Sequence, residues 1–220
     1  MQFDKTSDFN VLLYNQNQIV MRKSIIVILA IVGFFAIIII WGISAYNGLV
    51  SKEQKVKEAV GNVEAAYQKR ADLIPNVAAT AKKYSDYESE AFKNIVEARA
   101  KATATTIDMS NLNAEQLANY QKVQDELMNT MRTNLNVIVE RYPDLKANSL
   151  YIQLQGSLES CENTIAKARK DFNEVTQGFN TSVKRFPNNI IANWFGFTEK
   201  PYFEASEGSE KAPDVKELLQ

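Results

Sequence analysis

The sequence predicts an all-α protein, in which a single N-terminal transmembrane helix precedes an antiparallel up-and-down four-helix bundle with long helices. An uncharged run of nineteen residues, Ile25 to Ile43, predicts the transmembrane helix. The 220 residues include only five prolines and eight glycines, so long stretches contain no helix breaker. Beyond the apolar run, apolar residues recur every three or four positions, which is the spacing of one helix face.

The apolar run has the length of a retained membrane anchor. A helix of nineteen residues rises about 28 Å, close to the hydrocarbon thickness of about 30 Å, whereas signal-peptide apolar regions have about 7–15 residues. Gly42-Ile43-Ser44 is a poor cleavage site, and a run that is apolar on every face argues against the core helix of a soluble protein. We expect residues 21–45 to form a single-pass anchor in the inner cell membrane, with Trp41 and Tyr46 at its interface.

The sequences that flank the anchor leave two questions open. Residues 1–20 show no helical or strand period, and Met21 is followed by two basic residues. Our hypothesis is that this leader comes from an upstream start and is not part of the native protein. Three lysines within residues 52–57 nearly balance the bases before the run, so the positive-inside rule does not assign the bundle to one side of the membrane.

The composition excludes several kinds of chemistry. The chain has no histidine, which removes histidine-based catalysis and the usual zinc and di-iron helix sites. A net charge of −1 gives no reason to expect nucleic acid as a partner. Cys161 is the single cysteine, and its place on an apolar helix face predicts burial. We expect no enzyme activity, no metal and no cofactor.

The bundle is expected to occupy residues 46–187. Its first helix covers about residues 46–71 and is followed by "RADLIPN", residues 70–76. Pro75 lacks an N–H and disfavours a helical residue before it. We therefore interpret this stretch as a tight turn into a second helix of about residues 75–105, with a kink in one continuous helix as the alternative.

The third and fourth helices are expected at about residues 114–142 and 145–186. The fourth has the clearest period, because its apolar positions alternate steps of four and three residues, as in coiled coils. These positions are Leu154, Leu158, Cys161, Ile165, Ala168, Phe172, Val175 and Phe179.

An aromatic segment and a polar tail follow the bundle. We expect residues 188–203 either to pack on the membrane-proximal end of the bundle or to lie at the lipid interface. The aromatic residues that would reach the interface are Trp194, Phe195 and Phe197. Residues 204–220 are polar and acidic, which predicts a disordered tail.

Several motifs, in order, resemble the LemA family of bacterial membrane proteins over about residues 21–203. They are "YNGLV" (46–50), "RADLIPN" (70–76), "EARAKA" (97–102), "YPDLKAN" (142–148), "CENTIAKAR" (161–169), "FN" (172–173) and "FPNN" (186–189). The ending "WFGFTEKPYFEA" looks like that of members from Bacteroidetes. The resemblance implies one membrane helix and a helical bundle, and it supplies no activity. Many members have a His-Glu pair where this chain has Tyr87-Glu88.

Polar residues on the predicted helix faces form a candidate interhelical network. They are Arg70, Glu88, Arg99, Asn148, Glu162, Arg169 and Asn173. Buried pairs of this kind more often fix packing than perform chemistry. We therefore predict that the network is structural.

We predict a membrane-anchored scaffold or adaptor for protein–protein interaction, whose partners are the lipid bilayer and an unidentified membrane or envelope protein. The alternative is a ligand-sensing or peptide-binding bundle with a polar pocket between its helices. That alternative weakens if the polar residues pair with one another and leave no cavity.

Overall fold

The computed structural model describes residues 5–83 and 89–204, and every regular element in those ranges is a helix. The all-α prediction is therefore confirmed. The α-helices are α1 (Lys5–Lys82), α2 (Ser89–Ala104), α3 (Ala114–Arg141), α4 (Ser149–Lys184) and α5 (Asn188–Phe195). Short 3-10 turns, Met109–Asn111 and Pro143–Leu145, precede α3 and α4. Glu88 and nearly all of the expected polar tail lie outside the described residues.

Helix α1 continues without interruption from Lys5 through Pro75 to Lys82. The tight turn that we expected at residues 70–76 is therefore wrong, and the alternative of one continuous helix is correct. Helix α2 consequently begins only at Ser89. Helix α1 also includes residues 5–20, where we saw no helical period. That segment contains neither proline nor glycine, so nothing in it breaks a helix.

The chain divides into two compact units, Met1–Gly48 and Leu49–Gln220. The first contains the apolar run, whose described side chains are exposed from Ile25 to Ile40. From Ile25 onward, α1 is the one helix in the described part of the chain that is long and apolar enough to cross a membrane. The apolar window has a mean hydropathy of 3.1, and none of it is buried.

The second unit is built around an apolar core to which α1, α2, α3 and α4 all contribute. Its members include Ile74, Val77, Ile95, Leu127, Ile138 and Leu158. Helices α1 and α4 run antiparallel, because Lys52 bonds to Ser182 whereas Arg70, farther along α1, pairs with Glu162. This direction agrees with the predicted up-and-down bundle.

The apolar period predicted for α4 is confirmed. Five of its eight positions are buried: Leu158, Cys161, Ile165, Phe172 and Phe179. The helix begins at Ser149, slightly later than expected. The side chain of Asn148 accepts a hydrogen bond from the Tyr151 N–H at 3.0 Å, which caps the helix there.

Candidate functional site

A buried arginine joins three helices at the centre of the second unit. The Arg70 side chain on α1 is only 2% exposed. Its NH1 group donates to Oε1 of Glu162 on α4 at 3.1 Å. Its NH2 group donates to the main-chain oxygen and to Oε1 of Gln124 on α3, at 2.8 and 3.0 Å. Arg70 therefore fixes the positions of α3 and α4 relative to α1.

Gln124 extends this group of contacts to α2. Its Nε2 atom donates to the main-chain oxygen of Ala102 at 3.2 Å. The Gln124 side chain thus accepts from Arg70 and donates to α2, and both ends of its amide are used. The four helices of the bundle meet at this polar cluster, which comprises Arg70, Gln124, Glu162 and Ala102.

Two tyrosines cover one side of the arginine. The guanidinium carbon of Arg70 lies 5.0 Å from the ring centroid of Tyr67, which favours a cation–π contact. The ring of Tyr67 packs edge-on against Tyr120, with centroids 5.5 Å apart. Burial raises the pKa of both phenols, so both remain neutral at physiological pH. Their contribution is packing and shielding of the cation from water.

The acidic groups near Arg70 differ in their surroundings. Glu162 pairs directly with the arginine and is 35% exposed. Burial raises the pKa of the Asp125 carboxyl, although the positive charges of Arg169 and Arg70 partly offset that rise. In the part of the chain that the structure describes, His, Cys, Asp and Glu nowhere form a group of three suited to hold a metal ion.

Arg99 lies elsewhere and supports α1 beside its proline. Its Nε donates to the main-chain oxygen of Ala71 at 2.8 Å, and its NH2 lies 3.6 Å from Oδ1 of Asp72. Asn148 is also separate from the central cluster, because it caps α4. The predicted network is thus divided among several places, with a direct bond between Arg70 and Glu162.

Arg169 and Asn173 hold a docked segment, residues 200–204, against α4. Asn173 donates through Nδ2 to the main-chain oxygen of Phe203 and accepts from its N–H, both at 2.9 Å. Arg169 donates to the main-chain oxygen of Glu204 and places its guanidinium 5.4 Å from the ring centroid of Phe203. The ring of Phe203 packs edge-on against Phe172, with centroids 5.1 Å apart.

A second asparagine repeats this arrangement seven residues further along α4. Asn180 accepts from the Lys200 N–H at 2.9 Å and donates to the Lys200 main-chain oxygen at 2.8 Å. The docked segment therefore runs antiparallel to α4. These contacts are made to main-chain atoms, and Nδ2 of Asn180 also donates to the Tyr202 hydroxyl at 3.1 Å.

Sequence reasoning missed Gln124 and Asn180, although each had a detectable signal. Gln124 continues the three- and four-residue steps of Leu117, Tyr120 and Leu127, so it occupies a core position. Asn180 follows Asn173 by seven residues, which places both on one helix face. The signal was a polar residue at an apolar position of the helical period for Gln124, and the seven-residue spacing from Asn173 for Asn180.

The aromatic residues expected at a membrane interface differ in exposure. On α5, Trp194 is 82% and Phe195 is 59% exposed. Phe197 packs edge-on against Phe179 of α4, with centroids 6.5 Å apart. Trp41 and Tyr46 lie on α1 within the first unit and are partly exposed.

These features define a helical-bundle protein with one N-terminal helix that is apolar enough to cross a membrane. The chain belongs to the LemA family, whose model matches residues 59–216.

Several relatives give the range of this similarity. The chain is 24% identical to Protein LemA of Metamycoplasma hominis over 172 residues, which are 78% of this chain and 74% of the relative. It is 28% identical to Magnetosome protein MamQ 2 of Paramagnetospirillum magneticum over 86 residues, and 27% identical to Magnetosome protein MamQ of Magnetospirillum gryphiswaldense over the same length. Each of these two matches covers 39% of this chain and 32% of the magnetosome protein.

Proposed function

We propose that this protein is a scaffold or adaptor, held in the inner membrane by a single span, that binds another membrane or envelope protein and does not act as an enzyme. The observation that carries the proposal is the internal pairing of Arg70. Both of its terminal nitrogens are bonded to Glu162 and Gln124 of the same domain. Only the buried Nε of Arg70 has no hydrogen-bond partner. A buried guanidinium whose two terminal nitrogens are bonded within the domain favours a packing role over a ligand site.

The pairing of the other charged residues favours the same reading. Arg99 bonds to the main chain of α1, and Arg169 bonds to the docked segment. A ligand-sensing pocket would instead need these donors to point into a shared opening. The surface of the bundle is then the part that is available to a partner.

The anchor rests on the apolar run of α1. Its exposed, uncharged side chains are suited to lipid and unsuited to water. We expect the full-length protein to remain in the membrane pellet after carbonate extraction. Release of a shorter polypeptide that begins near Ala45 would show that the apolar segment is cleaved off, and would contradict the anchor.

The scaffold role can be tested by site-specific photo-crosslinking in native membranes. A crosslinker placed at Val96 or Ile152, both exposed apolar positions, should capture a distinct polypeptide from at least one position. A crosslinker at Leu127, which is fully buried, should give only products within the chain. Products that are confined to the chain at every exposed position tested would contradict the scaffold role.

A further inference from the structure

Helix α5 and the residues just before it present three large apolar side chains to solvent. Phe186, Ile190 and Trp194 follow one another at intervals of four residues and are 75%, 48% and 82% exposed. Ile190 and Trp194, four residues apart within α5, lie on one side of that helix, whereas Phe186 precedes the helix and is separated from it by Pro187. Ile191 and Ala192, on the other side, are buried against the domain. Helix α5 is thus docked by one apolar face while a second apolar face remains uncovered.

An exposed face of this kind marks an interaction surface. Scattered single apolar residues are normal on a protein surface, but a contiguous patch of large ones points to a partner. The patch contains an indole and a phenyl ring, and indole rings prefer the boundary between lipid and water. The chemistry of the patch therefore suits a lipid interface.

The position of α5 within the second unit points to the same partner. Nζ of Lys52, near the start of this unit, donates to the main-chain oxygen of Gly178 at 3.4 Å and to the Ser182 hydroxyl. Helix α5 begins shortly after Ser182. The unit itself begins at Leu49, only a few residues after the apolar run ends at Ile43. Helix α5 therefore belongs to the end of the domain that the span joins covalently.

We propose that α5 is a second membrane contact, in which Ile190 and Trp194 of the helix, together with Phe186 just before it, insert into the interfacial layer of the bilayer that holds the span. This inference rests on the proposed anchor. The span tethers the chain, and α5 fixes one end of the bundle against the lipid surface. The contact is shallow, because Ile191 and Ala192 stay packed on the domain.

The charges beside the patch indicate which lipid is needed. Nζ of Lys184 is paired with Oε2 of Glu199 at 2.8 Å, which offsets one cation next to α5. Arg185 adds one exposed positive charge. Because the proposed contact is made by apolar side chains, neutral phosphatidylcholine is sufficient to test it.

Two single-tryptophan proteins test the proposal, because the chain has only two tryptophans. Trp41→Phe leaves Trp194 as the only indole, and Trp194→Phe leaves Trp41. Each full-length protein is reconstituted in phosphatidylcholine vesicles whose acyl chains are brominated close to the ester groups. Bromine quenches tryptophan emission on contact. We expect Trp194 to lose most of its emission relative to vesicles of unbrominated lipid.

A third protein provides the control on the bundle surface. It carries Trp41→Phe, Trp194→Phe and Ile152→Trp, which places the indole at an exposed position of α4. That position is about 30 residues, or about 45 Å along the helix, from Ser182. Its emission should be unaffected by bromine. Adding Phe186→Ser and Ile190→Ser to the Trp194 protein should reduce the quenching while the circular dichroism spectrum stays unchanged.

The outcomes separate this inference from the proposed anchor. Quenching of Trp41 without quenching of Trp194 would overturn the α5 contact and leave the anchor intact. An absence of quenching at both positions would refute the anchor as well. Emission of Trp194 that is blue-shifted but not quenched would assign the face to a protein surface or a second copy, and would also overturn the proposal.

Discussion

Arg99 donates a 2.8 Å hydrogen bond from Nε to the main-chain oxygen of Ala71, four residues before Pro75. In an uninterrupted helix that oxygen would accept from the N–H of residue 75, which proline lacks. The side chain from α2 therefore supplies the donor that the proline removes. This replacement explains how α1 continues through Pro75 without leaving a buried carbonyl unsatisfied.

The pairing predicts a specific energetic coupling between Arg99 and Pro75. Arg99→Ala should lower the free energy of unfolding by about 1–2 kcal/mol, because the Ala71 oxygen loses its donor. In a Pro75→Ala background the new N–H can bond to that oxygen, so the same substitution should cost clearly less. Urea unfolding of the full-length protein in mild detergent measures both values. As a control, Lys101→Ala, in the same helix as Arg99, should lower the free energy of unfolding by the same amount with and without Pro75→Ala. If Arg99→Ala also costs the same in both backgrounds, Arg99 does not replace the donor that the proline lacks.

The central cluster predicts that removing Glu162 alone lowers the free energy of unfolding more than removing Glu162 and Arg70 together. Glu162→Ala leaves the buried Arg70 cation without its direct counter-charge and should cost about 3–5 kcal/mol. Adding Arg70→Met, which removes the cation but keeps much of its volume, should recover part of that loss. Glu159→Ala, at an exposed position of the same helix, should change the unfolding free energy by less than about 0.5 kcal/mol. Strictly additive losses for the Glu162 and Arg70 substitutions would mean that the two side chains do not interact.

The two asparagines of α4 predict a local change in amide hydrogen exchange. Asn173→Ala removes the acceptor of the Phe203 N–H, and Asn180→Ala removes the acceptor of the Lys200 N–H. Each substitution should therefore accelerate exchange most strongly at its own partner amide. Hydrogen exchange read by NMR or by mass spectrometry of short peptides measures this, and each variant serves as the control for the other. Uniform acceleration throughout the domain would indicate global destabilisation instead.

Asp125 predicts a pH dependence of stability. Because burial raises the pKa of this carboxyl in the folded state, folding favours its protonated form. Below the ordinary aspartate pKa of 3.8, Asp125 is protonated in both the folded and the unfolded state, so it does not destabilise the fold. The destabilisation develops as the pH rises from there through the folded-state pKa. Asp125→Asn should therefore stabilise the domain at neutral pH, by an amount that shrinks as the solution is acidified. Urea midpoints measured over this range test the sign, and a loss of stability at neutral pH would contradict it.

The helical class and the buried face of α4 could be predicted from local sequence pattern alone. Leu158, Cys161, Ile165 and Phe172 are buried where the alternation of three and four residues places them. Such positions depend only on helix geometry, which is the same at every residue. The anchor segment could be predicted for a similar reason, because the thickness of the bilayer sets the length of a membrane-spanning apolar run.

The break expected at Pro75 was wrong because the compensating donor is remote in sequence. The hydrogen bond that Pro75 cannot donate is evident from the local sequence. Arg99, in contrast, lies on another helix and bonds to Ala71 only once the bundle is assembled. Gln124 was not predicted, because the expected polar network comprised charged residues and asparagines and included no glutamine. The partners of a buried polar side chain are fixed by tertiary packing, which spacing along the chain does not encode.

The asparagine contacts have a consequence for how this region can evolve. Asn173 and Asn180 bond to the main-chain N–H and oxygen of Phe203 and Lys200, groups that every residue except proline provides. Side chains of the segment still matter at three positions: the ring of Phe203 packs on Phe172, the Tyr202 hydroxyl accepts from Asn180, and Nζ of Lys200 lies 3.1 Å from Oε1 of Glu53. Mutational drift should accumulate mainly where the side chains of the segment make no such contact, while selection acts on the two amides that hold it. Homologous chains with little recognisable identity after α5 can then retain the same attachment.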